Sequence, residues 1–575
     1  MLQNVRAATY AATLAWRHLR DEPARSPLLL LRVLPAPARA GLRRAAARGG
    51  PLLRAYALAD AGERDEAVRT VRGAAHRASP RSLARSAAFA LAIRETGLAD
   101  ELIERLPEGG RRAALADRSA LVAGRRVPDH RGYTLTVAPE RRTRRDRPVN
   151  GQRSAEHARH AGLRVLHMVT NALPHTNAGY TQRTHRIALG QRAAGLDAQV
   201  ATRAGYPLSA GKPDARPRLE LDGVPYHRLL PWSAPSGWDG EVRAGVRLAG
   251  PLLDRIRPHL LHAASNHVNG RTAIELGRAR GLPVVYEVRG FLEESWLSRD
   301  PSRSTADAYY RAERERETAC MLDADLVVTL GEAMRADIVA RGVPAEKVLV
   351  VPNAVDESFL EPLPDGGAVR GRLGIPADAF VVGTTTSCYG YEGLDTLVDA
   401  VALLRGQGVP AHALIVGDGP ELPGLRRRAA EAGLDGAAHF PGRVPAGEVR
   451  AHHAALDVFA VPRRDERVSR LVTPLKPVEA MAGGLPVVAS DLPALRELVR
   501  PGRTGELVGA GDAAALAERL AALAADPAAR AALGGEAQAR IGRDRTWTAA
   551  AHRYAAAYRG LLGGGGEWSV SSNPE

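Results

Sequence analysis

Residues 471–490 read LVTPLKPVEAMAGGLPVVAS. Pro474 and Pro477 predict the start of a helix, because proline fits the first turn of a helix but not its interior. The apolar run at 486–489 then predicts a buried β-strand. A helix followed directly by a buried strand is the repeating unit of a parallel sheet, so this stretch predicts an α/β fold.

The same alternation of apolar runs and helical periods extends in both directions from this stretch. Six runs precede residue 361, and they lie at 165–170, 198–202, 260–263, 284–288, 326–330 and 348–351. Five more follow a loop rich in Pro, Asp and Gly, and they lie at 380–385, 413–416, 438–440, 458–461 and 486–489. Two doubly wound, Rossmann-like domains, at 163–360 and 361–545, account for both series. Residues 546–562 predict a closing helix, and the Gly- and Ser-rich residues 563–575 a flexible tail.

The N-terminal part of the chain differs from the rest in charge. The 575 residues predict about three or four domains at about 150 residues per domain. Residues 1–160 hold 31 Arg, no Lys and 16 acidic residues, so they carry the whole net charge of +15. We interpret 1–106 as a basic α-helical extension and 107–162 as an Arg-rich linker. Such a charge suits an anionic membrane surface or nucleic acid, or simply a solvated Arg-rich helix face.

Two patterns suggest order within the extension. Ala57 and Gly62 recur 35 residues later as Ala92 and Gly97, a spacing that suggests tetratricopeptide-like helix pairs. Residues 26–48 combine a Leu run with Arg, which suits either a helix packed on the protein or one that lies on a membrane.

Composition disfavours several classes of protein. Aromatic residues make up only 4% of the chain, too few for the stacking platforms of a protein that binds single-stranded nucleic acid. Cys320 and Cys388 fit neither a disulfide framework nor a zinc site. No apolar run approaches 18 residues, and the N-terminus lacks the apolar segment of a signal peptide. We therefore expect a cytoplasmic protein without a transmembrane helix.

Charged residues and glycines follow several predicted strands, at the edge where parallel sheets bind ligands. Gly179 precedes a predicted helix, where it would let backbone N–H groups approach a phosphate or would simply form a turn. Glu287 and Arg289 end a strand, where they would serve either the reaction or a buried ion pair. Lys476 and Glu479 lie in the first turns of the helix quoted above. A lysine at a helix start suits a diphosphate, and a carboxylate one turn away suits ribose hydroxyls.

Seven motifs occur in order along residues 164–562. They are Ala178-Gly-Tyr180, 325–332 (DLVVTLGE), Val351-Pro-Asn-Ala-Val-Asp356, Tyr391-Glu-Gly-Leu-Asp395, Gly417-Asp-Gly-Pro420, Gly442-Arg-Val444 and Pro477-Val-Glu-Ala-Met-Ala482. Together they resemble the family 4 retaining glycosyltransferases, which have the GT-B fold of two Rossmann-like domains. Residues 391–395 and 471–477 resemble the branch often seen with exopolysaccharide loci.

The resemblance implies transfer of a sugar from a nucleotide-diphospho-sugar, with the donor on the C-terminal domain and the acceptor on the N-terminal side. Four residues are expected near the reacting groups: His262, Glu287, Arg289 and Lys476. The implied donor-binding residues are Gly179, Ser387, Gly417, Val444, Arg463, Arg467, Thr473, Leu475, Lys476 and Glu479. No metal or other cofactor is expected, because basic side chains and N–H groups would stabilise the leaving diphosphate. Asp323-Ala-Asp325 mimics a metal-binding motif but falls at a helix-to-strand turn, so we interpret it as structural.

The chain departs from the family pattern within the donor site. Ser387 and Glu392 occupy positions where the family usually has Arg and Lys. We expect Lys476, Arg463 and Arg467 to supply the missing positive charge.

Two further departures concern the sugar. Leu471 replaces a Glu that often lies eight residues before the ribose-binding Glu. Ala264 replaces a second His, which leaves His262 or His267 to contact the donor sugar.

The sequence therefore predicts a glycosyltransferase that acts on an envelope, exopolysaccharide or lipid-linked acceptor, with peripheral membrane contact through residues 1–160. A GT-B epimerase would share the donor site but release a free sugar. A non-catalytic scaffold that merely binds nucleotide is the other alternative, and the departures at Ser387 and Glu392 are its main support.

Overall fold

The N-terminal extension is α-helical, as predicted. The computed structural model describes residues 2–76, 78–127 and 162–563. In its first two ranges the helices are Leu2–Asp21 (α1), Ser26–Val33 (α2), Ala36–Ala47 (α3), Pro51–Ala61 (α4), Arg64–Ala75 (α5), Pro80–Ala92 (α6), Thr96–Glu104 (α7) and Gly110–Val122 (α8). Helices α4 to α7 form two hairpins with an apolar core of their own, in which Phe89 and Leu102 are fully buried.

Both hairpins of the extension turn through the same backbone motif. Gly62 and Arg94 have left-handed φ angles of 90° and 61°. The N–H of the next residue, Glu63 or Glu95, then donates to the carbonyl five residues earlier. The repeated turns are therefore 32 residues apart, from Gly62 to Arg94. The predicted spacing of 35 was wrong for the turns, because Arg94 and not Gly97 takes the left-handed position.

Helix α8 corrects the prediction that the whole of 107–162 is a linker. Its Ser119 is buried and donates a hydrogen bond to Asp100 of α7 at 2.5 Å. Leu115 and Val122, seven residues apart, pack against the core of the extension. The many arginines obscured this helical period in the sequence. The remainder of that segment, 128–161, and the predicted tail beyond residue 563 lie outside the described residues.

The first Rossmann-like domain is built on an eight-stranded sheet. Its strands are Arg164–Val169 (β1), Asp197–Thr202 (β2), Arg218–Leu221 (β3), Val224–Arg228 (β4), Leu260–Ala264 (β5), Val284–Val288 (β6), Leu326–Thr329 (β7) and Val348–Val350 (β8). Their order is β3-β4-β2-β1-β5-β6-β7-β8, and only the edge strand β3 is antiparallel to its neighbour. The helices are Gly179–Ala193 (α9), Gly237–Ile256 (α10), His267–Arg280 (α11), Leu292–Leu297 (α12), Ala308–Asp323 (α13) and Glu332–Ala340 (α14).

The second domain has a six-stranded, all-parallel sheet. Its strands are Phe380–Thr385 (β9), Ala411–Val416 (β10), Ala438–Gly442 (β11), Val458–Val461 (β12), Val487–Ser490 (β13) and Gly505–Val508 (β14). The strand order in the sheet of this domain is β11-β10-β9-β12-β13-β14. Its helices are Gly367–Leu373 (α15), Leu394–Gly406 (α16), Leu422–Glu431 (α17), Val449–Ala454 (α18), Arg467–Leu471 (α19), Lys476–Ala482 (α20), Pro493–Arg496 (α21), Ala513–Ala525 (α22) and Pro527–Asp544 (α23). This is the doubly wound strand order, so the predicted fold class is confirmed.

The last helix, Trp547–Leu562 (α24), returns to the first domain. Its Tyr554 and Tyr558 are fully buried in an apolar cluster with residues of β1, β5, β6 and α9. The two chain crossings between the domains lie side by side, since Val355 donates to the carbonyl of Arg545 at 2.8 Å. The N–H of Trp547 donates back to Val355 at 3.1 Å. The two crossings between the domains are therefore joined to each other through backbone hydrogen bonds.

The helical extension packs on the carboxyl edge of the first sheet. Tyr10 of α1 is 2% exposed and lies against Gly205, just after β2. Arg17 of α1 donates to the carbonyl of Pro235, after β4, at 2.5 Å. At the other end of the extension, Gly124 accepts a hydrogen bond from the N–H of Tyr309 at 2.9 Å. The extension thus borders the side of the domain where ligands bind in such sheets.

Candidate active site

Gly179 and Arg289 bring the start of α9 into the predicted site. Gly179 is the first residue of α9, and a Cβ placed on it would meet no other atom within 4 Å. Packing therefore does not require glycine here, which leaves room for a ligand. Arg289 donates to the carbonyl of Tyr180 at 2.9 Å and so ties the start of α9 to the end of β6.

Lys476 and Glu479 form an ion pair on the second domain. The Nζ of Lys476 lies 3.5 Å from Oε2 of Glu479, and their side chains are 41% and 14% exposed. Oε2 of Glu479 is buried and accepts no hydrogen bond from any described residue. Burial raises the pKa of Glu479, and Lys476 partly opposes this effect. The pair therefore presents a partly exposed cation beside an oxygen that has this ion pair but no hydrogen bond.

His453 was not predicted from the sequence but lies in the same region. Its Nε2 is 3.1 Å from the hydroxyl oxygen of Thr385, the last residue of β9, and its Nδ1 has no hydrogen-bond partner among the described residues. Burial lowers the pKa of His453 to about 3, and Lys476 lowers it further. Because His453 is fully buried, this neutral imidazole supports the end of β9 and does not reach the open side of the sheet. It lies in no motif, so only the fold could reveal it.

Arg463 has a different partner from the diphosphate predicted for it. Its guanidinium donates to both carboxylate oxygens of Glu392, at 2.9 and 3.1 Å, and to the carbonyl of Val472 at 2.9 Å. Arg463 and Glu392 are 7% and 8% exposed, so this is a buried, bidentate ion pair. It explains the departure at Glu392, because the acidic residue neutralises the arginine. Lys476 thereby becomes the main cation of the donor side.

Arg467 joins the two domains. From α19 its Nε donates to Glu294 of α12 at 2.9 Å, and its Nη2 donates to Asp337 of α14 at 3.0 Å. Its side chain is 44% exposed. Both hydrogen bonds go to carboxylates of the first domain. Arg467 therefore stabilises the contact between the domains, and these hydrogen bonds are not available to a diphosphate.

Gly417 and Ser387 lie in adjoining loops of the second domain. Gly417 has a φ of 148°, and a Cβ on it would overlap the carbonyl oxygen of Thr386. Glycine is therefore needed for the close approach of the loops after β9 and β10. Ser387 is exposed in the first of these loops.

The remaining predicted donor residues support this edge of the sheet. Val444 packs against the core of the second domain, and Leu475 directly precedes α20. The carbonyl of Thr473 accepts a hydrogen bond at 2.9 Å from Asn353, in the crossing between the domains. Thr473 and Leu475 thus lie close to Lys476 in the chain, whereas Val444 has a packing role.

Glu287 is the centre of a buried polar network. It is fully buried and accepts hydrogen bonds from Arg183 at 2.8 Å, from Arg289 at 2.6 and 2.9 Å, and from Tyr554 at 2.8 Å. Burial alone would raise the pKa of Glu287, but Arg289 and Arg183 hold it well below its usual value. The network joins β6, α9 and the closing helix α24. Of the two alternatives left open by the sequence for Glu287 and Arg289, the structure therefore shows the buried ion pair.

His262 lies deeper than the predicted sugar contact requires. It is fully buried, with Nδ1 2.5 Å from the hydroxyl oxygen of Tyr558 and Nε2 3.2 Å from Glu287. The reason is that β5 continues to Ala264, so His262 faces the network and not the carboxyl edge. His267 is also buried, at 3% exposed. Neither histidine reaches the open side of the sheet.

Asp323 and Asp325 agree with their interpretation as a structural turn. Asp325 accepts a hydrogen bond from the N–H of Val284 at 2.8 Å. Asp323 pairs with Arg271 at 3.0 Å and with Arg278 at 2.9 Å. Both carboxylates are thus engaged within the first domain.

Both Rossmann-like domains match known sequence families. Residues 178–354 match the model of the glycosyl transferase 4-like domain, and residues 379–526 match that of the glycosyl transferases group 1. The helical extension, residues 2–127, lies outside both matches.

Similar proteins include glycosyltransferases of bacteria. D-inositol 3-phosphate glycosyltransferase 1 of Catenulispora acidiphila is 31% identical over 62% of this chain and 86% of its own length. A GDP-mannose-dependent alpha-(1-6)-phosphatidylinositol monomannoside mannosyltransferase of Mycolicibacterium smegmatis is 37% identical, over 37% of this chain and 56% of its own length. The chain thus spans little more than half of the second relative.

Solved structures share the fold. Sucrose-phosphate synthase from Thermosynechococcus elongatus has a TM-score of 0.57 at 20% identity, covering 70% of this chain and 100% of its own. Anabaena HepE in complex with UDP has a TM-score of 0.54 at 20% identity, covering 69% of this chain and 100% of its own. The two family matches, the relative matched over most of its length and the shared fold show that this chain belongs to the family 4 (group 1) glycosyltransferases of GT-B fold.

Proposed function

We propose that this protein transfers a sugar from a nucleotide-diphospho-sugar, with retention at the anomeric carbon, to a saccharide or lipid-linked acceptor. The observation that carries this proposal is the partly exposed Lys476, ion-paired with a buried oxygen of Glu479 that accepts no hydrogen bond from the described residues. The names of the relatives, which include a GDP-mannose-dependent enzyme, and the UDP complex of HepE support a nucleotide sugar as donor. These names favour transfer over the epimerase and scaffold alternatives.

Each residue of the pair has a defined task in the proposed reaction. Glu479 accepts hydrogen bonds from the ribose hydroxyls, which adds the hydrogen bond that its buried Oε2 lacks beside the ion pair with Lys476. Lys476 stabilises the negative charge that grows on the diphosphate as the bond to the sugar breaks. The space beside Gly179 lets the diphosphate approach the start of α9.

Glu479→Gln is expected to weaken donor binding by about tenfold or more, since hydrogen bonds to a charged group are worth about 1.5–3 kcal/mol. The amide keeps the shape of the side chain but removes its charge. Calorimetric titration of UDP- and GDP-sugars into both proteins measures the change. Glu506→Gln, a half-buried position on β14, is the control. Equal affinities of wild type and Glu479→Gln would reject the ribose contact.

We also propose that transfer needs no bound metal, because Lys476 and backbone N–H groups carry the charge of the diphosphate. Activity should therefore survive EDTA. Donor turnover is measured before and after chelation, with and without added Mg²⁺ or Mn²⁺. Complete loss in EDTA, restored by either ion, would show that this part of the proposal is wrong.

Peripheral membrane contact through residues 1–160 is the third part of the proposal. Among the described helices, none has the length and apolar character needed to cross a bilayer. Helix α1, however, has Val5, Trp16 and Leu19 on its outer face, exposed by 50%, 67% and 54%. Its inner face carries the buried Tyr10. An apolar outer face on an Arg-rich segment is typical of helices that bind anionic bilayers at their surface.

A double variant, Trp16→Ser with Leu19→Ser, should bind anionic vesicles about tenfold or more weakly, because burial of one such side chain is worth about 1.5–3 kcal/mol. Co-sedimentation with phosphatidylglycerol vesicles at low and high salt measures this. Leu403→Ser, at an exposed position of the second domain, is the matched control. Point variants are preferable to truncation, which would uncover the surface that Tyr10 covers. Equal binding of the double variant and wild type would reject α1 as the contact.

A further inference from the structure

Four glutamates are buried where α13 packs against α11 and α12. Two lie on α12 and two on α13, and they are Glu293, Glu294, Glu313 and Glu317. Each is at most 1% exposed, and the proposed reaction gives none of them a task. A buried carboxylate keeps its charge only if cations or several hydrogen bonds compensate it, and otherwise it takes up a proton. The partners of each glutamate therefore decide its charge.

Three of the four glutamates have a basic side chain within 4 Å. These partners are Arg341 for Glu293 at 2.8 Å, Arg467 for Glu294 at 2.9 Å and His267 for Glu313 at 3.5 Å. Each of these three carboxylates thus faces a group that can neutralise its charge.

Glu317 is the exception. Its Oε1 accepts a hydrogen bond from the backbone N–H of His267 at 2.6 Å, and its Oε2 accepts one from the hydroxyl of Tyr286. Both donors are neutral, and no basic side chain of the described residues forms an ion pair with Glu317. The charge of an ionised Glu317 would therefore be uncompensated at a fully buried position.

Only one of the groups that surround Glu317 can carry a positive charge. By element, these groups are His267 of α11, Tyr286 of β6, Glu293 of α12, and Glu313 and Cys320 of α13. Burial raises the pKa of Glu317 to about 7. The two neighbouring carboxylates contribute to the rise, whereas the imidazole of His267 and the hydroxyl of Tyr286 oppose it.

Glu317 also holds three elements of the first domain together. Its two oxygens join α13 to the first residue of α11 and to β6. One turn further along α13, the thiol of Cys320 donates to the carbonyl of His267 at 3.5 Å. We propose that Glu317 is a proton-dependent lock, which joins α11, β6 and α13 while its carboxyl is protonated and loosens as rising pH removes the proton. The lock goes beyond the proposed transfer, because no residue assigned to the donor takes part in it.

Urea unfolding of the full chain between about pH 5 and about pH 9 tests the lock. The unfolded chain loses this proton near the ordinary pKa of 4.5 and the folded chain at about 7, so stability falls as pH rises between the two values. Glu317→Gln replaces the protonated carboxyl with an uncharged group of the same shape, which has no proton to lose. The folding equilibrium constant of Glu317→Gln, divided by that of the wild type, should therefore rise by up to about tenfold per pH unit up to about pH 7 and then level off.

Glu315→Gln is the matched control, because Glu315 is exposed on the same helix and its ratio should stay constant with pH. A ratio for Glu317→Gln that stays constant, or that falls with rising pH, would overturn the inference. Glu317 would then hold no proton that the unfolded chain lacks.

Infrared difference spectra detect the protonated carboxyl directly. The wild type should lose the C=O band of a buried carboxylic acid between about pH 6 and about pH 8, and Glu317→Gln should lack this band. If Glu317→Gln does not fold, Tyr286→Phe decides. It removes a hydroxyl that favours the charged carboxylate, so it should move the loss of the band to higher pH. An unchanged band in whichever variant folds would overturn the inference.

Discussion

Lys476→Ala should lower kcat by about 10²–10³, with a smaller change in the KM for the donor. Loss of one group that stabilises charge in the transition state has effects of this size. A large effect is expected because the neighbouring arginines cannot replace Lys476. Arg463 is neutralised by Glu392, and Arg467 donates its hydrogen bonds to Glu294 and Asp337. Initial rates of donor turnover over a range of donor concentrations separate kcat from KM.

Lys212→Ala provides a matched control for the loss of one lysine. Lys212 is exposed on the first domain, and its replacement should leave both constants unchanged. A Lys476→Ala enzyme with the kcat of the wild type would show that another group carries the charge of the diphosphate. A change confined to KM would mean that Lys476 binds the ground state and the transition state equally.

The periodicity of the sequence was sufficient to predict the fold. Most of the buried parallel strands of the two sheets are short apolar runs, and these were recognised. Strands β3, β4 and β14 were missed for a physical reason. β3 lies at a sheet edge with alternate side chains exposed, and β14 is a four-residue strand that contains Glu506. β4 is buried but includes His227 and Arg228. None of the three strands is apolar enough to stand out from a loop.

The candidate site was predictable only where its residues are neighbours in sequence. Lys476 and Glu479 are three residues apart on one helix, so their pairing follows from helical geometry. Arg463 depends on Glu392, 71 residues away, and no local pattern reveals such a pair. The depth of His262 depends on where β5 ends, and strand ends are poorly defined by apolar runs.

Glu287→Ala is expected to lower the free energy of unfolding by about 3–5 kcal/mol, the cost of removing one partner from a buried ion pair. The variant leaves the guanidinium groups of Arg183 and Arg289 buried without their carboxylate, and it removes the acceptor of Tyr554. The loss should be concentrated in the first domain and in α24, which Glu287 holds together.

Urea unfolding followed by near-ultraviolet circular dichroism measures this loss, because Tyr554 and Tyr558 are buried beside the network. Glu220→Ala is the matched control, since Glu220 has an exposed side chain and should change stability by no more than about 0.5 kcal/mol. If Glu287→Ala unfolds at the same urea concentration as the wild type but loses transfer activity, Glu287 acts in the reaction and not in the structure. If stability falls and the folded fraction of the variant keeps its turnover, the network serves to fix α24 and the start of α9 beside the donor site.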